Sequence, residues 1–264
     1  MNRYRQLFAG FAATTTALIV YGCDSKAPGA DIVEKPPAKV NSSPPTPPKI
    51  EAPAVPKTDL DRSKLPASLN TDAYHYYGLS SSKPLDMEMT LKPNSGIVTG
   101  SLSYRMSQVD QDSATFVMET TGALNEKLGN ETLKLKPGGL SSVSSSLMKL
   151  SSPELELPTG LTSGKSWRVD STAESNSGKV RQQMKFLCEG PQNLKIGAKT
   201  YQALYVIGVG TVSLGAQKSH VTMKEWFVKD IGTVKMEEIG QTPKGKPSVT
   251  FDMIWKPNDS KAKP

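Results

Sequence analysis

Cysteine is nearly absent: Cys23 and Cys188 are the only two in 264 residues. That excludes a disulfide framework and a zinc site built on thiolates. Histidine is as scarce, with His75 and His220 far apart in the chain and neither set in a motif. Aromatic residues make up 6% of the chain, so much of any core must be aliphatic or methionine. The formal charge is +7, yet no long run of one sign occurs, which predicts no nucleic-acid partner. No G-x-S-x-G elbow, phosphate-binding glycine loop or dinucleotide fingerprint is found. Nucleophilic catalysis needs a nucleophile beside a base held by a third group, and no such constellation is legible. The expectation is therefore a protein that is not an enzyme, with no catalytic residues, no cofactor and no metal.

One apolar run stands out. Arg3 and Arg5 precede a stretch from Leu7 to Val20 that carries no charge and ends just before Cys23. It falls short of the roughly 20 residues a membrane-spanning helix needs and fits a secretory signal over residues 1–22. Val20-Tyr21-Gly22-Cys23 resembles the bacterial lipobox, cut before a lipid-modified cysteine: Gly22 and Cys23 match, while Val20 and Tyr21 depart from the pattern. The resemblance implies acylation (palmitate included) at Cys23, and several acyl chains hold a protein stably on a membrane. Ten of the twenty prolines then fall between residues 24 and 66, which predicts an extended, disordered tether over 23–69.

From residue 70 to 258 the pattern alternates with period two, ahead of a disordered tail at 259–264. Met87 and Met89 share one side of a strand, Leu102 and Met106 another, and Met184, Phe186 and Cys188 a third. "YQALYVIGV" lines up Tyr201, Ala203, Tyr205, Ile207 and Val209, and "VTFDMIW" lines up Phe251, Met253 and Trp255. One apolar and one polar face per strand predicts antiparallel sheet. Turn signals such as Pro137-Gly138-Gly139 and Glu189-Gly190-Pro191 separate the strands. The count is roughly ten to twelve, too many for a flat open sheet, so the fold class is all-β: a single curved sheet, a half-barrel or a sandwich. Over 139–150 the spacing of Leu140, Val143, Leu147 and Leu150 turns helical, leaving helix, strand or loop open. Glu154 and Glu156 alternate with leucines and read as an outer face; Glu237 and Glu238 read as a strand end. Cys188 reads as a buried, inert thiol, and His75, among tyrosines, as a packing residue.

"LELPTGLTSGKSWRVDS", "KTYQALYVIGVGTV" and "EWFVKDIGTVKME" resemble the entrance to successive strands in secreted bacterial domains of the TapB-like group. The likeness spans residues 73–240, and Lys229-Asp230 departs from it. It implies an all-β extracytoplasmic domain and no catalytic residue. The architecture is also similar to the curved sheets of LolA- and LolB-type carriers, which hold acyl chains in their concavity. Two functions follow. The first is a lipid-anchored binding or structural module of the bacterial cell envelope, outside the cytoplasm, with an envelope protein as partner. The alternative is a carrier of a lipid or other apolar ligand. Its concave face would be lined by Met87, Met89, Met106, Met118, Met184, Phe186 and Met253, since methionine adapts to varied apolar guests.

Overall fold

The computed structural model describes residues 58–257, apart from 94, 95, 244 and 246. The signal sequence, Cys23, most of the expected tether and the tail lie outside the described residues.

Thirteen strands form one antiparallel sheet: β1 (Leu85–Lys92), β2 (Ile97–Val109), β3 (Ala114–Thr120), β4 (Glu131–Lys136), β5 (Gly139–Ser145), β6 (Met148–Leu150), β7 (Glu154–Pro158), β8 (Ser166–Ser175), β9 (Gly178–Ile196), β10 (Lys199–Leu214), β11 (Gln217–Val228), β12 (Gly232–Gln241) and β13 (Pro247–Trp255). Their order is β6-β8-β9-β10-β11-β12-β13-β1-β2-β3-β4-β5-β7. Nearly every neighbour is also a neighbour in sequence, so short turns suffice and strand twist accumulates in one sense. The sheet curls until β7, at one end, packs against β8, next to the other end. The result is a barrel closed all round except for a seam between β7 and β8.

The strand count exceeds the expected ten to twelve because the 139–150 segment is strand. Leu133 pairs with Ser142 and Thr132 with Ser144, which leaves Val143 as an unpaired bulge residue on β5. A bulge breaks period two locally, and the resulting spacing imitates a helix.

The alternation holds on β1, β2 and β9, whose Met87, Met89, Met106, Met184 and Phe186 all face inward and are buried. On β10 the expected face is the wrong one. Leu204, Val206 and Val212 join the interior cluster, whereas Val209 is 49% exposed. Gly208 and Gly210 leave gaps in the inward face, and Phe186 and Met184, directly opposite on β9, fill them. The outward Tyr201, Ala203 and Tyr205 have an apolar environment of their own. Beyond a bulge at Tyr205/Val206 the tip of the β9–β10 hairpin packs on the barrel's outer wall. There Tyr205 stacks on Trp226 at 5.0 Å and Tyr201 meets Trp255 edge-on at 5.5 Å, in a second apolar cluster.

Residues 58–82, the first part of which the sequence assigns to the tether, pack on the barrel. Leu60 N donates to Met106 O at 2.8 Å, and Arg62 donates to Leu79 O and to Tyr104 O, each at 2.7 Å. Thr71 caps the single-turn helix α1 (Asp72–Tyr76) by accepting from Tyr74 N. This helix touches both β5 and β12, on opposite walls, and Leu69, Ala73, Tyr77 and Leu79 are fully buried. It plugs one mouth.

Candidate functional site

The most unusual feature of the interior is acid. Glu131 on β4, Glu154 and Glu156 on β7, Glu225 on β11 and Glu238 on β12 are all at most 6% exposed. Among the described residues no Lys, Arg or His is buried to the same degree. The polar groups around them are neutral: Ser171 Oγ donates to Glu154 Oε2 at 2.9 Å and Gln182 Nε2 to Glu154 Oε1 at 3.4 Å. Glu131 Oε2, Glu225 Oε1, Gln182 Oε1 and the Tyr77 hydroxyl are buried with no hydrogen-bond partner.

A dry carboxyl without a cation favours its neutral form. Burial, opposed by the Ser142 hydroxyl and reinforced by Glu154, raises Glu131 to about 8. Burial and then the charges of Glu131, Glu154 and Glu225 hold Glu156 well above the usual carboxylate range. Burial, with Glu238 adding to it, does the same for Glu225. Burial also raises the hydroxyls of Tyr77 and Tyr104, which share the field of Glu131 and Glu156. Burial therefore favours the protonated form of Glu131, Glu156 and Glu225.

The expectation of an outer face for Glu154 and Glu156 is overturned. The register of β7 on β5 passes from Leu157 to Leu155 and leaves Glu156 as an unpaired bulge residue, so Leu157 joins the core while both glutamates are buried as well, and alternation alone could not assign its faces. Glu237 and Glu238 lie within β12, not at its end, with Glu237 exposed enough to pair with Lys235 and Lys224.

His75 does more than pack. Its Nδ1 meets Asp230 Oδ1 at 2.5 Å and its Nε2 meets Asn70 Oδ1 at 2.7 Å, while Ser80 Oγ donates to Asp230 Oδ1 at 2.8 Å. Serine, histidine and aspartate are together, but not in the order that activates a hydroxyl. Both ring nitrogens face other oxygens, and Ser80 bonds the carboxylate. The cluster instead ties the plug to the β11–β12 turn, where Asp230 holds a left-handed backbone with φ 62° and Asp230 N donates to His75 O. Burial raises the Asp230 carboxyl, but the hydrogen bonds from His75 and Ser80 outweigh it and bring the group below its ordinary value. Replacing Asp230 by Ala should cost about 2 kcal/mol, for the lost bonds of a half-exposed carboxylate and a strained residue kept in place. Asp230→Gly loses the same bonds but relieves the backbone, so urea unfolding should find it more stable than Asp230→Ala by about 1 kcal/mol.

The seven residues expected to line a ligand face, Met87, Met89, Met106, Met118, Met184, Phe186 and Met253, are brought together in one core, each 0–4% exposed. Neither of two surface clefts uses them. One, of about 410 Å³, lies beside the plug between Lys83, Asp86, Asp230, Trp255 and Lys256. The other, of about 340 Å³, lies between Arg62, Asn70 and Tyr74. Cys188 is fully buried, and burial pushes its thiol up. Among the described residues no group of His, Cys, Asp and Glu is arranged to hold a metal ion.

The buried acids were within reach of sequence reasoning. Glu131 has the parity of Leu133 and Leu135, and Glu225 that of Val221, Met223 and Phe227, so each belongs to its strand's apolar side.

No family model matches the chain, and no curated protein matches it; the TapB-like resemblance finds no support there. Three solved structures are similar. One is named as an exported protein with a YmcC-like fold from Bacteroides fragilis, 9% identical, with a TM-score of 0.48 over 69% of this chain and 97% of that one. A second, named as a lipoprotein from Parabacteroides distasonis, is 8% identical, with a TM-score of 0.47 over 69% of this chain and 96% of that one. The hypothetical lipoprotein YmcC of Escherichia coli is 13% identical, with a TM-score of 0.32 over 71% of this chain and 90% of that one.

Proposed function

We propose that the chain is a bacterial cell-envelope protein, held to a membrane through acyl chains on Cys23, whose barrel works outside the cytoplasm as a binding module rather than as an enzyme. The observation that carries this reading is the filled barrel. The apolar residues that could have lined an open groove pack on one another and on the plug, so partners meet the outer surface. There the 410 Å³ cleft joins Trp255 to two lysines and two aspartates, the mixture of apolar and polar groups that binding sites use. An envelope protein is the partner class this surface fits. Carriage of a lipid inside the barrel is the second reading, favoured by the eight methionines gathered in the core.

One purification separates the two. The full chain, extracted from membranes and stripped of detergent in a native mass spectrometer, should show the protein with its covalent acyl mass alone. A second lipid, present near one per chain and lost only on collision, would replace the binding-module reading with the carrier. In the same cells Cys23→Ala should take up no labelled palmitate and leave the acylated fraction; unchanged labelling would end the anchor assignment.

A further inference from the structure

The barrel wall is uniform except at one place. Each strand interior to the sheet is hydrogen-bonded on both sides, but no ladder joins β7 to β8. β7 is held by backbone only to β5, through a short register that shifts between Leu140 and Ser141. Across the gap, side chains make the connection: Ser171 of β8 and Gln182 of β9 both donate to Glu154 of β7. Two residues further along the same face of this edge strand sits Glu156.

The groups facing Glu156 come from every wall. Glu154 shares its strand, Glu131 projects from β4 and Glu225 from β11; Tyr104 of β2 and the Tyr77 hydroxyl below the plug lie in the same field. Glu238 of β12 acts on Glu225. All of these are acids. With each proton lost, a negative charge appears in a region where no Lys, Arg or His among the described residues is equally buried, and like charges in a low-dielectric interior repel strongly. Hydrating the charges means moving something. Among the strands that carry the carboxyls, the one held least is β7, which bears two of the five and has only one backbone neighbour. Longer strands such as β9 and β10 are paired along their whole length.

We propose that the barrel opens and recloses along the β7–β8 seam as the carboxyls of Glu131, Glu156 and Glu225 lose and regain their protons, so that alkaline conditions bring the interior to solvent. The rise of Glu131 to about 8 puts the change within reach of ordinary buffers. The device is independent of what the outer surface binds, and it stands or falls separately from the envelope-module reading.

Amide hydrogen exchange on the full chain in detergent tests it, with rates at about pH 6 and about pH 9 corrected for intrinsic exchange. Sub-global opening exposes a contiguous unit while the rest stays protected. Protection over β7 and the 159–165 loop should fall by at least about tenfold at the higher pH, and over β10 and β11 by less than about twofold. Glu156→Gln should keep β7 protected at both values. Glu131→Gln, on β4 and separated from β7 only by β5, should do the same and serves if the first variant does not fold. Loss spread evenly over all strands would mean that charging unfolds the whole domain, and unchanged protection of β7 would mean that the seam does not open; either outcome overturns the proposal.

Discussion

Gly210→Ala should leave little folded protein. A β-carbon at this position would sit 2.0 Å from Gln183 O, 2.6 Å from Met184 Sδ and 2.8 Å from Met184 Cα. Two of these three atoms belong to the backbone of β9, which is pinned between β8 and β10, so no rotamer change makes room. Overpacking with a backbone shift should cost about 3–5 kcal/mol, a large part of a stability of about 5–15 kcal/mol. Gly208→Ala should be milder, because its β-carbon would meet the edge of the Phe186 ring at 2.6 Å, and a ring can tilt. Gly138→Ala, with open space around it, should change stability by less than about 0.5 kcal/mol. Urea unfolding of the three variants checks the order. A Gly210→Ala protein as stable as the parent would show that β9 and β10 are not packed as described.

The same two glycines mark where the sequence misleads. Period-two alternation identified the inward faces of β1, β2 and β9 because each carries large apolar side chains on one parity and polar ones on the other. On β10 the inward parity holds Leu204, Val206, Gly208, Gly210 and Val212, and its outward parity Tyr201, Ala203, Tyr205, Ile207 and Val209. The outward set looks more apolar, since the volume that fills the inward gaps belongs to Phe186 and Met184 on the next strand. Part of the outward set is covered in turn by the curled hairpin. At β7 the failure has a different cause: a bulge at Glu156 breaks the alternation, so Glu154, Glu156 and Leu157 are all buried, and composition ranks glutamate as exposed. The seven residues expected to share an apolar interior do share one. The acidic centre stayed hidden because an acid inside a barrel contradicts the usual rule for charged residues. That rule assumes an ionised group, and a protonated carboxyl escapes it.

Stability should accordingly fall as pH rises. Glu131 binds its proton up to about 8 in the folded chain, against 4.5 as its ordinary value. Between those limits the native state carries more protons than the unfolded one, and the linkage slope of unfolding free energy with pH is negative. The contribution is whole below about 4.5, declines through the range and is gone above about 8. Glu156 and Glu225, raised well above the usual range by burial, extend the decline in the same direction. Because the groups interact, they titrate as a set and not one by one. For Glu131 alone, a displacement of this size corresponds to about 5 kcal/mol at most, and opening of the seam would reduce it by letting water reach the charge. The acid side works against this trend only weakly. Asp230 has its carboxyl lowered by His75 and Ser80, but it is half-exposed and screened. The stability maximum should thus lie in mild acid, near pH 5, where most proteins with paired surface carboxylates have already begun to weaken. Urea unfolding at about pH 5 and about pH 9 should differ by several kcal/mol, and Glu131→Gln, which keeps the shape of the side chain without its titration, should reduce the difference. A stability that rises between those two values would show that the interior carboxyls are ionised in the folded barrel, and that a counter-charge sits among them.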